Sequence, residues 1–476
     1  MKDQRAMNSD ETAKQTRCKR ELRLVDQALQ INPKSYWLWN HRRWTLESSP
    51  TPDWARELKL VDMLLDKDAR NFHGWKYRRD VIANLPQRTP KDEFGFTTTK
   101  INQNFSNYSA WHYRSKLLTT TFTTAEEQQN AMQQDFEIVR NAVYTEPADQ
   151  SAWLYQRWLL GKKPLPLAIL GTCLLREDDR SALVFVFNQP TKITNPASIS
   201  LTVDTEPVNH SGSLQSHYTP VHAIWLPTLP KGDEFVIAIE KDAFVSGSGG
   251  AFGGRVGRKV QLGDVQPGTV TIDPSHPIDS DPMTISTPET EDVVADARYQ
   301  PPAIWSRESK SVEELVEVEP DSKWALLTLV YMMKEVTGRD EDAIRILEKL
   351  EKLDGMRAGY YRDLKSEFVL NRAINPPQQI LASQTSPAES HTFTLTSVSL
   401  TSLPTSTLSN LYTIRHLDLS HNALRSMKFI EILPLLETIE LEGNQIERVQ
   451  GLGGLMRLRR VGVKGNRIRG VEGLRE

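Results

Sequence analysis

Tryptophan recurs along this chain at a spacing that leaves few folds open to it. Trp39, Trp75 and Trp111 stand 36 residues apart, and Trp153 follows after 42. The words around them match as well: SYWLWNHRRW, NFHGWKYRRD, NYSAWHYRSK and DQSAWLYQRW. Arg42, Arg78 and Arg114 each follow their Trp by three residues, and Arg157 follows Trp153 by four. Three or four residues is one helical turn, so Trp and Arg share a helix face.

An amphipathic stretch precedes these words, as in ELRLVDQALQ (21–30), ELKLVDMLLD (57–66) and DFEIVRNAVY (135–144), with apolar residues at i, i+3, i+4 and i+7. Each unit reads as a helix hairpin. In the first unit Asn32-Pro33 predicts the start of the second helix, with Asn as N-cap and Pro at the first helical position. A hairpin cannot cover its own apolar face, so the pairs are expected to stack into a right-handed, curved solenoid with Trp between neighbouring helices. EPDSKWALLTLV reads as a fifth, decayed copy that keeps Trp324 and loses the Arg, and DGMRAGYYRDLKSE (354–367) continues that block.

From about residue 390 the period changes. Leu417-x-Leu419-x-x-Asn422-x-Leu424, Ile439-x-Leu441-x-x-Asn444-x-Ile446 and Val461-x-Val463-x-x-Asn466-x-Ile468 are leucine-rich repeats with their Asn residues 22 apart. In that pattern the short L-x-L segment is a strand, and Asn satisfies backbone groups at the turn out of it. Phe393-x-Leu395-x-x-Val398-x-Leu400 reads as a degenerate first copy. The sequence reaches Glu476 without an evident polar cap, so a C-terminal cap is expected to be missing.

Trp324 stands 171 residues after Trp153, far more than one repeat, so something is inserted. ALVFVF, SISLTV, HAIWLP, FVIAIE and TVTI are strand-like runs bounded by turn residues, and together they predict a small all-β sandwich. The expected order is helical repeats over 1–175, the β module over 176–273, a linker over 274–302, further helical repeats over 303–375, a linker over 376–390 and leucine-rich repeats over 391–476. The Gly-rich GSGGAFGGRVGRK (247–259) is not a phosphate loop, because Arg255 stands where that loop needs Lys. It reads as a hairpin loop.

The bulk numbers exclude several classes. A formal net charge of -3 with 25% charged residues gives no basic field for nucleic acid. The longest apolar stretches, Leu165–Leu175 and Trp324–Met333, are too short to span a membrane, and the polar N-terminus lacks the apolar core of a secretory signal. A cytoplasmic location is expected. Cys18 and Cys173 are the two cysteines, too few for a disulfide framework, and the ten His show no metal-ligand spacing. Both thiols are expected to be reduced.

Tandem aromatic-x-x-Trp-x-x-Arg hairpins resemble the repeat of protein prenyltransferase alpha subunits, clearly over 21–160 and weakly over 312–370. Within that family the helical repeats stand alone in the alpha subunit shared by farnesyltransferase and the type I geranylgeranyl enzyme. An immunoglobulin-like insert followed by leucine-rich repeats, in the order found here, resembles the Rab geranylgeranyl type. The resemblance implies an alpha subunit that supports transfer of geranylgeranyl from its diphosphate to C-terminal cysteines of Rab GTPases presented by a Rab escort protein. It also implies a separate beta subunit, which holds the zinc and the lipid pocket, with geranylgeranyl diphosphate at the subunit interface. No activity is expected without that subunit, and no cofactor is expected in this chain. The family pattern has one more helix pair ahead of NPKSY, which is expected to be missing here.

Such a transfer needs cations where the diphosphate leaves. Lys34, read as lying in the first turn behind Asn32-Pro33, is a cation placed against the helix dipole, which points to an anionic partner. The resemblance puts Lys34 of P-K-x-Y against the diphosphate with Tyr36 beside it, and Asn71 and His73 of RNFHGW near the same site. Phe72 stands where some members have Tyr. From the residues alone, Lys34 reads as a solvated surface lysine and His73 as a packing or interface histidine. Trp39, Trp75, Trp111 and Trp153 are expected to be core, with Trp324 the structural Trp of the decayed copy. Arg42, Arg78, Arg114 and Arg157 either bind carboxylates or carbonyls between repeats or face the beta subunit. The alternatives are the alpha subunit of farnesyltransferase or the type I enzyme, which CaaX peptides would report, and a non-enzymatic helical scaffold.

Overall fold

The computed structural model describes residues 2–161, strand segments between 169 and 272, and then 300–336, 338–375, 391–408, 411–427, 430–452, 455 and 457–471. These fall into two compact units, residues 1–161 with 300–328 and residues 162–299 with 329–476. The expected linkers at 274–302 and 376–390 lie almost wholly outside the described residues, as does the centre of the Gly-rich loop.

The first unit is helical. Its helices are α1 (Lys2–Ile31), α2 (Tyr36–Glu47), α3 (Trp54–Lys67), α4 (Phe72–Ile82), α5 (Pro90–Gln103), α6 (Tyr108–Thr121), α7 (Ala125–Thr145), α8 (Gln150–Leu160), α9 (Pro302–Val318) and the start of α10 (Lys323–Met333). One turn is used again and again to start the second helix of a pair. In Asn32–Ser35, Asp68–Asn71, Asn104–Asn107 and Glu146–Asp149 the fourth backbone N–H donates to the first carbonyl, at 3.1–3.3 Å. The fourth residue then becomes the N-cap, and the side chains of Asn71, Asn107 and Asp149 accept from N–H groups of the first turn. α2 therefore does not start at Pro33. The Asn32 carbonyl closes the turn, Pro33 and Lys34 are its central residues, and Ser35 is the cap.

The tryptophans hold these turns against their helices. Each indole Nε1 donates to the carbonyl six residues earlier: Trp39 to Pro33, Trp75 to Ala69 and Trp111 to Phe105, each at 2.8 Å, and Trp153 to Pro147 at 3.1 Å. All four rings are buried. Three also meet a Tyr of the next copy, with centroids 5.1 Å apart for Trp39–Tyr77, 6.1 Å for Trp75–Tyr113 and 4.9 Å for Trp111–Tyr155. The fifth copy has the same turn at Glu319–Ser322. There Leu326 N–H donates to the Ser322 carbonyl, as Trp75 N–H does to Asn71, so Leu326 holds the Trp position. Trp324 is buried, but two residues early in the register.

The arginines join one copy to the next. Arg42 binds Glu57 and Asp26, Arg78 binds Asp62 and Glu93, and Arg114 binds Asp135. A Tyr from the following copy donates to the same buried carboxylates: Tyr77 to Glu57 at 2.6 Å, Tyr113 to Glu93 at 3.4 Å and Tyr155 to Asp135. These guanidiniums are buried in the chain's own core. Arg157 is not their counterpart. Gln156 takes the buried position three residues after Trp153 and donates to Glu308 of α9 at 3.2 Å, while Arg140 of α7 and Arg307 of α9 supply the charge, each at 3.0 Å.

Burial, together with the neighbouring carboxylates, raises all three tyrosines, with Tyr113 pushed up to about 12 from an ordinary 10.0. The unfolded chain thus gives up these protons first, and folding stability is intact below pH 10 and falls as pH rises above it. The melting temperature of the helical unit, followed by circular dichroism, is expected to drop between about pH 10 and pH 12. A melting temperature flat across that window would contradict these hydrogen bonds.

The second unit contains the β module. Strand β1 is Ile169–Arg176, β2 Ser181–Ile193, β3 Ile199–Val203, β4 Glu206–Pro207, β5 Thr219–Leu226, β6 Glu234–Ile239, β7 Phe244–Ser246, β8 Val256–Gln261 and β9 Val270–Ile272. They form two antiparallel sheets, β5-β2-β1-β9 with β7 on β2, and β4-β3-β6-β8. The expected runs fall on β2, β3, β5, β6 and β9. Four strands were not expected, the short β4 and β7 among them. β1 lies in the stretch read as helical to 175, and β8 takes in the end of the Gly-rich segment.

Helices α11 (Asp340–Leu353) and α12 (Ala358–Ile374) precede the leucine-rich repeats. Strands β10 (Thr392–Thr394), β11 (His416–Asp418), β12 (Thr438–Glu440) and β14 (Arg460–Gly462) pair in parallel, and β13 (Arg448–Val449) pairs with β15 (Gly470–Val471). The Asn ladder works as its spacing implies. Asn444 Oδ1 accepts from Leu424 N–H at 3.0 Å, and its Nδ2 donates to the Leu419 and Leu441 carbonyls at 3.0 and 3.1 Å. Asn422 and Asn466 repeat the arrangement. At the other end Leu370 of α12 enters the apolar core behind Phe393, so α12 covers the degenerate first copy.

Candidate functional site

The turns that start α2 and α4 bring together the four residues singled out for chemistry. Lys34 projects from the first turn, 70% exposed, with its Nζ 3.6 Å from Asp68 Oδ2 at the start of the second. Tyr36 is the first residue of α2, and its ring lies 6.2 Å from that of His73, the second residue of α4. The aromatic Phe72 packs on His73 at 4.0 Å.

Asn71 does a different job from the other three. It is buried, caps α4 by accepting from His73 and Gly74 N–H, and donates Nδ2 to the Pro33 carbonyl at 2.9 Å. That carbonyl also accepts from Trp39 Nε1. Asn71 thus fixes the backbone on which Lys34 stands, and its own polar atoms are engaged within the fold.

The site continues along the neighbouring helices in residues that no motif marks. The first helical position is aromatic and exposed in three successive copies, at Tyr36, Phe72 and Tyr108. Four and seven residues on, the same helix face carries Lys76 and Arg79 on α4, and His112 on α6. Lys76, Arg79, His112 and the adjacent Lys116 are all exposed. Tyr108 stacks on His112 at 6.0 Å. Partial burial, with Lys116 and Arg79 nearby, lowers the His112 pKa, as expected within a cluster of cations. The signal that could have found these residues was the column one and four places after each Trp. The result is an exposed row of rings flanked by positive charge, with Lys34 at one end, able to meet an anion and an aromatic-accepting partner. Among the described residues no group of three or more His, Cys, Asp or Glu could hold a metal ion, and no helix is long and apolar enough to cross a membrane.

The protein prenyltransferase alpha subunit repeat matches at residues 18–49, 54–85, 90–121 and 132–163. These are the four copies built on Trp39, Trp75, Trp111 and Trp153. A leucine rich repeat matches at 391–446. The geranylgeranyl transferase type-2 subunit alpha of Pongo abelii is 32% identical over 453 residues, covering 93% of this chain and 74% of that protein. The protein of the same name from Bos taurus is 32% identical over 456 residues, covering 93% and 75%. That of Dictyostelium discoideum is 44% identical over 140 residues, covering 29% of this chain and 45% of its own length. With the helical copies, the β module and the leucine-rich repeats all inside a match of that extent, the chain belongs to the geranylgeranyl transferase type-2 alpha subunit family.

Proposed function

We propose that this chain is the alpha half of a heterodimeric Rab geranylgeranyltransferase, inactive until it joins a beta subunit. The observation that carries this reading is a match running through every segment of the chain, at 93% coverage, rather than through the Trp repeats alone. In the reaction a cysteine thiolate of the Rab C-terminus attacks the first carbon of the geranylgeranyl group. A C–S bond forms, the C–O bond to diphosphate breaks, and the electron pair leaves with the diphosphate. Zinc held by the beta subunit lowers the thiol pKa.

The chain's own part is electrostatic and architectural. Lys34 stabilises charge on the departing diphosphate, with Tyr36 and His73 beside it, because a cation aimed where charge develops acts mainly on the transition state. Asn71 and Trp39 hold the Pro33 carbonyl and so fix the turn that carries Lys34. The ring row at Tyr36, Phe72 and Tyr108 meets the beta subunit. The Rab is presented by its escort protein, and the reaction takes place in the cytosol.

Substrate choice tests the assignment. The chain assembled with a prenyltransferase beta subunit is expected to label Rab in the presence of escort protein, and to leave CaaX peptides unlabelled. Labelling of CaaX peptides without labelling of Rab would assign the chain to the type I or farnesyl enzymes instead.

A further inference from the structure

Lys34 is not a free cation waiting for a ligand. Its ammonium stands 3.6 Å from Asp68 Oδ2, and these two residues sit in successive copies of the same turn. We propose that Asp68 is the resident counter-ion of Lys34, displaced when a diphosphate arrives and restored when it leaves, so that the site's hold on the product stays weak. This rests on the reading of Lys34 as a diphosphate contact.

The two oxygens of Asp68 divide the work. Oδ1 accepts from Arg70 N–H at 3.2 Å and shapes the turn, while Oδ2 faces Lys34. The next copy shows that the turn needs no charge there. Asn104 occupies the same place, and its Oδ1 accepts from Ser106 N–H at 2.9 Å. The first copy has Asn32 at that position. The negative charge of Asp68 is therefore spare to the fold, and it lies where an incoming anion must compete with it for the lysine. A fixed anion at that distance both occupies the ammonium and repels the ligand. Without it, a diphosphate would bind more tightly and leave more slowly, which lowers turnover without helping the transition state.

Asp68→Asn separates these roles, because it keeps the Oδ1 acceptor and removes the charge. The chain is assembled with a beta subunit, and inorganic diphosphate is used as a product inhibitor of prenyl transfer. Asp68→Asn is expected to lower the inhibition constant roughly five-fold, the effect of one unit charge at about 4 Å in a water-exposed setting. Its melting temperature should equal that of the parent chain. The gain should be smaller when Lys34 is already Ala, because only the direct repulsion of the ligand is then removed. An Asp68→Asn enzyme that binds diphosphate no more tightly, while Lys34→Ala binds it more weakly, overturns the counter-ion and leaves the lysine's role standing. Inhibition and transfer both unchanged in Lys34→Ala overturn the reading of the lysine itself.

Discussion

Arg78→Met is expected to destabilise the helical unit by about 3–5 kcal/mol, because it leaves a buried carboxylate without its partner. Arg78 is 0% exposed, its Nε lies 2.7 Å from Asp62, its Nη1 binds Glu93, and its Cζ lies 3.4 Å from the centre of the Phe96 ring. Glu93 is itself buried, and its other partners are the Tyr113 hydroxyl at 3.4 Å and the more distant Arg88 Nε at 4.0 Å. Met fills much of the volume but cannot neutralise that charge. The loss belongs mostly to the stranded carboxylate, so adding Glu93→Gln should recover a large part of it. Urea unfolding followed by tryptophan fluorescence measures both variants. A single variant within about 1 kcal/mol of the parent, or a double variant as unstable as the two singles added, would show that Arg78 does not link successive copies.

Lys34→Ala should show the opposite profile. The side chain is largely in water and its ion partner is Asp68, so folding should be unaffected. In the assembled enzyme, prenyl transfer is expected to fall roughly 10²-fold in kcat, the usual scale for removing one charge-stabilising donor from a transition state. Single-turnover transfer to escorted Rab measures the step. A rate equal to that of the parent chain would remove Lys34 from the chemistry. Arg78 and Lys34 thus separate two uses of cations in this chain: the buried one holds copies together, and the exposed one is the proposed contact to the substrate.

The copies were legible because one bulky ring repeats at one spacing, and that ring does the same thing each time, donating from its indole to the turn six residues earlier. Other features were hidden for physical reasons. Glu57, Glu93 and Asp135 come from the following helix at separations of 15, 15 and 21 residues from their Arg, so no fixed period marks them. Arg157 carries the repeat's residue type, while the buried place belongs to Gln156 and the charge comes from Arg140 and Arg307 on other helices. Trp324 misled in the same way. The Glu319–Ser322 turn sets the register of α10, and a turn of variable residues is harder to see than a tryptophan. Asn32-Pro33 carries a helix-start pattern, yet Pro33 serves as well in the middle of a turn, and the Asn32–Ser35 hydrogen bond decides between the two. β1 escaped because an apolar run such as Leu165–Leu175 has no period to separate strand from helix.

The candidate site was partly visible. Lys34, Tyr36, Asn71 and His73 lie together on the turns that start α2 and α4, and Asn71 is committed to capping α4 and holding Pro33. Lys76, Arg79 and His112 stand in plain columns of the repeat, but a column of differing residues shows as one surface only when the helices are side by side. The pairing of Lys34 with Asp68 spans two copies and leaves no mark in either one.

What most directly tests the account is whether this chain is half of an enzyme. Co-expressed with a prenyltransferase beta subunit, it is expected to co-purify as a 1:1 complex that transfers geranylgeranyl to an escorted Rab, while the chain alone transfers none. A chain that stays separate from every such subunit, or one that transfers geranylgeranyl by itself, would contradict the assignment.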